Sequence, residues 1–94
     1  MGRISSKTMN EVAKILCSIR DVELMHQFLE SILTPRELEE IGGRWEIVKL
    51  LERGVSQRQV AKKLRMSLCK ITRGSRELKK KNSAFRRILG EYPG

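Results

Sequence analysis

Cationic side chains that could bind a polyanion are concentrated in one part of this 94-residue sequence. Residues 58–87 hold twelve lysines and arginines against a single acid, Glu77, a net charge of +11, whereas residues 1–57 carry a net charge of −1. Cations grouped in this way neutralise phosphates and release the counterions condensed on nucleic acid, which supplies most of the non-specific affinity. Solvated protein surfaces usually mix the two signs. The charge pattern therefore predicts a nucleic-acid-binding segment.

A helix-turn-helix is predicted within this cationic segment, at about residues 56–80. Ser56 and Gln59 have the spacing of a capping box and should begin a short helix. A tight connection at residues 65–66 leads to a second helix that Ser67 can cap. In such a unit the first turn of the second helix enters the major groove, while the first helix crosses the DNA backbone.

Two kinds of DNA contact are predicted for this unit. Base edges favour short hydrogen-bonding or apolar groups, and phosphates favour cations. Residues 67–70 are expected to face bases, whereas Lys62, Lys63, Thr72 and Lys79 are expected to lie nearer to phosphates. The DNA-binding residues predicted from the sequence are Gln57, Arg58, Lys62, Met66, Ser67, Leu68, Cys69, Lys70, Thr72 and Lys79.

No arrangement of reactive groups in the sequence predicts an enzyme, because no Ser/His/Asp, Cys/His or paired-carboxylate pattern stands above chance. Cys17 and Cys69 have no further cysteine or histidine at metal-ligand spacing, so neither a metal site nor a disulfide framework is predicted. No signal-peptide stretch is found, and no apolar run approaches the ~18 residues of a membrane span. The expected location is a reducing cytoplasm, and no membrane partner is expected.

Helices are expected to position the cationic segment. Between Val12 and Leu33, apolar residues recur at helical spacing, which predicts one or two amphipathic helices with a joint near Asp21. Residues 1–9 are predicted to be a flexible arm, and residues 10–94 a single helical domain. Aromatic residues make up only 4% of the chain, so the core is thin and self-association is a plausible source of further burial.

A long third helix should begin at Thr34, because this threonine is followed by a proline and, three residues on, by Glu37. Gly42 and Gly43 in its middle predict close packing against a neighbouring helix or a ligand. Gly54 is placed where a left-handed residue would end the helix. The buried stripe is predicted at Leu38, Ile41, Trp45, Val48 and either Leu50 or Leu51.

The final third of the chain is also expected to be helical. Gly74 is predicted to interrupt the second helix of the helix-turn-helix. A last helix should begin at Asn82 or Ser83 and end near Gly90. Because no strand-like alternation occurs, the predicted fold class is all-α with about six helices.

Several strings of residues resemble the bacterial Trp repressor family, in the order and with the approximate spacing of that family. They are Leu33-Thr34-Pro35, Ile41-Gly42-Gly43-Arg44, Ser56-Gln57-Arg58, Ile71-Thr72-Arg73-Gly74-Ser75 and Leu78-Lys79. The resemblance covers roughly residues 10–92. It implies a six-helix chain interlaced with a second copy as a homodimer. Such a dimer represses tryptophan-supply genes in the bacterial cytoplasm by binding operator DNA once L-tryptophan is bound as co-repressor, with no metal.

The resemblance also implies which residues hold L-tryptophan. The set is Arg44 and Arg73 beside the indole ring, Arg73 and Thr34 on the carboxylate, Gly74 leaving space beside the ring, and backbone carbonyls around Ser31 and Leu33 on the ammonium. Guanidinium planes stack on aromatic rings and pair with carboxylates through two hydrogen bonds, so these roles are physically reasonable.

Two departures from the family pattern affect these expectations. Glu77 stands where the family has a serine that helps to hold the ligand's amino group, and we expect its carboxylate to accept the ammonium instead. The turn at residues 65–67 lacks the glycine common in the family. This predicts that the helix-turn-helix at about residues 56–80, the reading head, is stiffer than in the family. Without the resemblance, Glu77 would be read as an intrahelical partner of Arg73 or Lys81.

Two other functions remain open from the sequence. A ligand-independent helix-turn-helix module, such as a transposase-type end-binding domain, would share the reading head and need no amino acid. A small basic RNA-associated protein would prefer structured RNA to any single duplex sequence. Binding of L-tryptophan distinguishes the first alternative, and a comparison of duplex DNA with structured RNA distinguishes the second.

Overall fold

The computed structural model describes residues 4–91, and this part of the chain is helical and contains no strand. Its six helices are α1 (Ser6–Ser18), α2 (Val22–Ile32), α3 (Pro35–Glu52), α4 (Gln57–Leu64), α5 (Leu68–Lys79) and α6 (Ala84–Glu91). The prediction of an all-α fold with about six helices is confirmed. The chain divides into two compact units, one extending to Leu38 and the other starting at Glu39. The predicted single domain over residues 10–94 stays a prediction.

Helix α1 begins earlier than the predicted arm allowed. The Ser5 hydroxyl accepts a hydrogen bond from the Thr8 backbone N–H at 3.2 Å and caps the helix. Residues 6–9 of the predicted arm are therefore helical, because a serine at this position satisfies a free N–H of the first turn. Residues 1–3 of that arm lie outside the described residues.

Side-chain caps also fix the starts of α2 and α3. The Asp21 carboxylate accepts from the Glu23 N–H at 3.0 Å, which confirms the predicted joint near Asp21. At α3 the Thr34 hydroxyl accepts from the Glu37 N–H at 3.2 Å, while the Thr34 N–H donates to the Glu37 carboxylate at 2.9 Å. The predicted capping box is therefore formed in both directions.

The core of the second unit joins α3, α4 and α5. Ile47, Leu50, Val60 and Ile71 are buried together in this core. Ile47 was absent from the predicted stripe, whereas Ile41, which was included in it, is 50% exposed. Val48 and Leu50 of the predicted stripe are buried, so the prediction was right in part; helical periodicity alone did not show that the buried face includes Ile47 rather than Ile41.

Helix α5 continues through Gly74 to Lys79, so the predicted interruption at this glycine is wrong. A Cβ added to Gly74 would lie 2.7 Å from Cγ2 of Ile47 on α3. This glycine therefore permits α3 and α5 to approach each other closely. By contrast, Gly54 has a φ of +92° just after α3, and the predicted left-handed position is confirmed.

The last helix follows the predicted start at Ser83. The Ser83 hydroxyl accepts from the Arg86 N–H at 3.1 Å, and α6 packs against α5. The Trp45 ring on α3 lies 6.5 Å from the Phe85 ring on α6, centroid to centroid, in a tilted arrangement. Trp45 is partly buried, which agrees with its predicted place in the core rather than on a base-stacking platform.

Candidate nucleic-acid interface

Helices α4 and α5 pack against each other and form the predicted helix-turn-helix. Ser56 and Gln59 make both hydrogen bonds of the predicted capping box at the start of α4. At its other end, Arg65 adopts the left-handed conformation (φ 55°, ψ 46°), and the Met66 N–H donates to the Ala61 carbonyl at 3.0 Å. Ser67 occupies the cap position of α5, but its hydroxyl makes no capping hydrogen bond.

A left-handed arginine in the turn leads to a stability prediction. A non-glycine residue in this conformation lowers the stability of the folded state by about 1–2 kcal/mol. Glycine avoids this strain, but it loses more backbone entropy on folding, which offsets part of the gain in stability. We expect Arg65→Gly to raise the free energy of unfolding by about 0.5–1 kcal/mol, measured by urea denaturation. Arg65→Ala is the control, because it removes the same guanidinium but keeps the strained Cβ. Equal stabilities of the two variants would contradict the assignment of strain to Arg65.

The residues predicted to read base edges are available on the surface. Residues 67–70, the cap and first turn of α5, are all exposed, and Leu68 is 48% exposed. The cations predicted nearer to phosphates, Lys62, Lys63 and Lys79, are exposed as well, and so is Arg58. The unit therefore combines a polar and apolar helix start with flanking positive charge, which is the combination that DNA reading requires.

A hydrogen bond connects two of the predicted DNA-binding residues, Gln57 of α4 and Thr72 of α5. The Thr72 hydroxyl donates to the side-chain oxygen of Gln57 at 3.1 Å, and both residues are partly buried. This bond fixes the first turn of α4 against the middle of α5. Both residues were predicted from the sequence to bind DNA, but the sequence did not show that they are hydrogen-bonded to each other.

Met66 was predicted as a DNA-binding residue, and the structure gives it a packing contact. Its side chain is partly buried against the core cluster of the second unit. A Cβ added to Gly43 on α3 would lie 2.8 Å from Cε of Met66, whereas one added to Gly42 would meet nothing within 4 Å. Close packing was predicted at both glycines and is found at Gly43.

The residues assigned to the ligand within the second unit lie on α3 and α5. Arg44 and Arg73 are exposed, and Gly74 is partly buried. The Glu77 carboxylate lies 2.9 Å from the ammonium of Lys80, the residue three positions later. Its partner in the structure is therefore neither of the two cations, Arg73 and Lys81, that four-residue spacing indicated.

The remaining ligand-assigned residues belong to the first unit, at the end of α2. The Ser31 hydroxyl donates to the Gln27 carbonyl at 2.8 Å, and the Leu33 N–H donates to the Leu29 carbonyl at 2.9 Å. The Thr34 hydroxyl accepts from the backbone of Glu37, which leaves its own proton free to be donated to a carboxylate.

Between residues 4 and 91, no group of three His, Cys, Asp or Glu side chains is placed to hold a metal ion. Both cysteines are exposed free thiols. Within that range no helix has the length and apolar character to cross a membrane.

The sequence is similar over most of its length to proteins named Trp operon repressor homolog. A family model described as Trp repressor protein matches residues 7–92. A Trp operon repressor homolog of Xylella fastidiosa (strain M23) is 44% identical over 70 residues, which cover 73% of this chain and 76% of that protein. The Trp operon repressor homolog of Chlamydia caviae is 40% identical over 76 residues, covering 79% of this chain and 75% of that protein. No solved structure gives a significant match.

Proposed function

Because this chain belongs to the Trp repressor protein family, we propose that it is a transcriptional repressor that binds operator DNA as a homodimer when L-tryptophan is bound. Its targets would be tryptophan-supply genes in the bacterial cytoplasm. The observation that carries the DNA-binding part is the helix-turn-helix of α4 and α5, with residues 67–70 exposed in a segment of net charge +11.

The proposed division of labour follows from the chemistry of the exposed groups. Residues 67–70 would contact base edges, and the sequence preference of the protein would depend on them. Arg58, Lys62 and Lys79 would contact phosphates and contribute affinity that is the same for all sequences and is weakened by salt. Gln57 and Thr72 would hold the two helices at the spacing that both sets of contacts require.

L-Tryptophan is the proposed co-repressor. Arg44 and Arg73 are exposed arginines that can stack on an indole ring, and Arg73 can also form a two-bonded pair with the carboxylate. Thr34 would donate its hydroxyl proton to the same carboxylate, and the carbonyls near Ser31 and Leu33 would accept from the ammonium. These assignments come from the family pattern.

The homodimer is supported by apolar surface that the first unit leaves uncovered. Neither α1 nor α2 contains a buried residue. Val22 is 72% exposed, Met9 57% and Ile32 53%, although the apolar residues of both helices recur at core spacing. Burial of such surface contributes about 25 cal/mol per Å², so a second copy would stabilise the unit substantially.

We expect sedimentation at about micromolar concentration to give twice the mass of one chain. Val22→Lys and Ile32→Lys place charges on the uncovered face and should shift the equilibrium towards monomers. Lys7→Glu, which changes an exposed cation of α1, is the control. A monomer that binds operator tightly would contradict the proposed dimer.

The direct test of the proposed function is DNA binding with and without L-tryptophan. Duplexes from the promoters of tryptophan-supply genes should be bound specifically, with an affinity that rises about 5- to 150-fold when the ligand is added. Equal binding with and without ligand would favour the ligand-independent module. Preference for structured RNA would favour the RNA-associated alternative.

Glu77 gives a prediction specific to this chain. As a carboxylate acceptor for the ligand's ammonium it would be worth ~1.5–3 kcal/mol, and in the absence of ligand it would repel phosphates. We expect Glu77→Gln to weaken tryptophan binding and to strengthen ligand-free operator binding, both measured by titration calorimetry. Indole-3-propionate, which lacks the ammonium, should be a poor co-repressor.

The ion pair of Glu77 with Lys80 supplies the matched control. An exposed pair of this kind contributes only about 0–1 kcal/mol to stability, so Lys80→Gln should leave the fold intact while freeing the carboxylate. Tryptophan affinity should then rise or stay constant, whereas it should fall in Glu77→Gln. If neither substitution changed ligand or DNA affinity, Glu77 would be only the partner of Lys80.

A further inference from the structure

Met66 connects the turn of the helix-turn-helix to α3. A Cβ on Gly43 would lie 2.8 Å from Cε and 3.9 Å from Sδ of Met66, so the end of the methionine side chain rests directly on the α3 backbone. Met66 also packs against the buried cluster that includes Ile47 and Leu50 of the same helix. The contact therefore has two components, a close approach at Gly43 and apolar burial beside it.

The backbone around Met66 is fixed independently of this contact. Arg65 takes the left-handed conformation that ends α4, and the Met66 N–H donates to the Ala61 carbonyl at 3.0 Å. Because these two features fix the backbone at Met66, its side chain extends towards α3 from a defined position. Helix α5 starts two residues later, at Leu68, so only Ser67 separates its first turn from Met66.

We propose that Met66, seated on Gly43, holds the first turn of α5 in its DNA-reading position before any ligand binds. Both sides of the contact belong to the second unit, and neither involves a residue assigned to the ligand. The apparent affinity for DNA equals the intrinsic affinity multiplied by the fraction of molecules in the DNA-binding conformation. A reading helix held by Met66 raises that fraction in the ligand-free protein and so lowers the dependence of DNA binding on the ligand.

This inference rests on the proposed function, because operator binding is one of its readouts. The variants are Met66→Ala, which removes the end of the side chain, and Gly43→Ala, which displaces it. Gly42→Ala is the matched control, since it adds the same methyl one residue away, where nothing lies within 4 Å. Thermal unfolding of each variant is measured alongside DNA binding, to separate positioning from a loss of folded protein.

We expect Met66→Ala to lower ligand-free operator affinity by about fivefold or more, and Gly43→Ala, which displaces only the flexible end of the Met66 side chain, to lower it by less. Both losses should be less than about twofold at saturating L-tryptophan. Gly42→Ala should leave both affinities unchanged. The double variant Gly43→Ala/Met66→Ala should lose no more than Met66→Ala alone, because both act on one contact. Equal losses with and without ligand, or additive losses in the double variant, would overturn the proposal.

Amide hydrogen exchange gives a readout that does not depend on DNA. Exchange at residues 72–74, whose amides close the first turn of α5, should be faster in Met66→Ala and Gly43→Ala than in Gly42→Ala, with the core of α3 unchanged. Unchanged exchange at these residues would overturn the inference. If the unaltered protein failed to bind any operator with L-tryptophan, the proposed function would fail, and exchange alone would still decide whether Met66 positions α5.

Discussion

Arg73→Ala is expected to abolish the response of DNA binding to L-tryptophan. Hydrogen bonds to a charged group are worth about 1.5–3 kcal/mol each, and the proposed pair between Arg73 and the ligand carboxylate contains two of them. Loss of this pair and of stacking on the indole ring should weaken tryptophan binding by about 100-fold or more. Calorimetry with L-tryptophan measures the affinity, and operator titration at a fixed ligand concentration measures the response.

Two further substitutions on the same helix separate the role of Arg73 from its charge. Arg76 is exposed on α5 and has no assigned contact with the ligand, so Arg76→Ala should change only the salt-dependent part of DNA binding. Arg73→Lys retains the charge but loses the planar fork, and it should still weaken tryptophan binding clearly. Equal effects of Arg73→Ala and Arg76→Ala would show that Arg73 serves only as a phosphate contact.

Gly74→Ala is expected to produce the largest loss of stability among the single-methyl changes. The new Cβ would lie 2.7 Å from Cγ2 of Ile47 and 3.7 Å from Cγ1 of Val48. Ile47 is 2% exposed and β-branched, so it cannot rotate away without disturbing the core. Overpacking costs typically ~1–3 kcal/mol, and the gain of up to ~1 kcal/mol in helix propensity offsets only part of it.

Urea denaturation of Gly74→Ala and Gly42→Ala checks this prediction. Gly42→Ala gains the same helix propensity with no neighbour within 4 Å and should therefore stabilise the protein. Tryptophan affinity adds a second comparison, because the family pattern assigns Gly74 to the space beside the indole ring. Normal stability of Gly74→Ala with lost tryptophan binding would mean that the glycine serves the ligand and not the crossing of α3 and α5.

Local signals in the sequence determined most of the helices and the placement of the reading head. Each of the helices α3 and α4 begins with a pair of capping residues three positions apart, Thr34 with Glu37 and Ser56 with Gln59. Their spacing alone therefore predicted where the two helices begin. The excess of cations in residues 58–87 is likewise a local feature of the sequence, and it predicted a polyanion partner. The resemblance to the Trp repressor family added a predicted co-repressor and the residues that would hold it, which residue spacing alone does not indicate.

Tertiary structure decided the features that depend on which faces of the helices meet. Gly74 was predicted to break α5, but the approach of Ile47 on α3 is the physical reason for a glycine at this position. Gly42 and Gly43 are equivalent by sequence, and only the position of Met66 distinguishes them. Contacts between residues distant along the chain, such as that of Thr72 with Gln57, leave no periodic signal, because they arise when separate helices pack together.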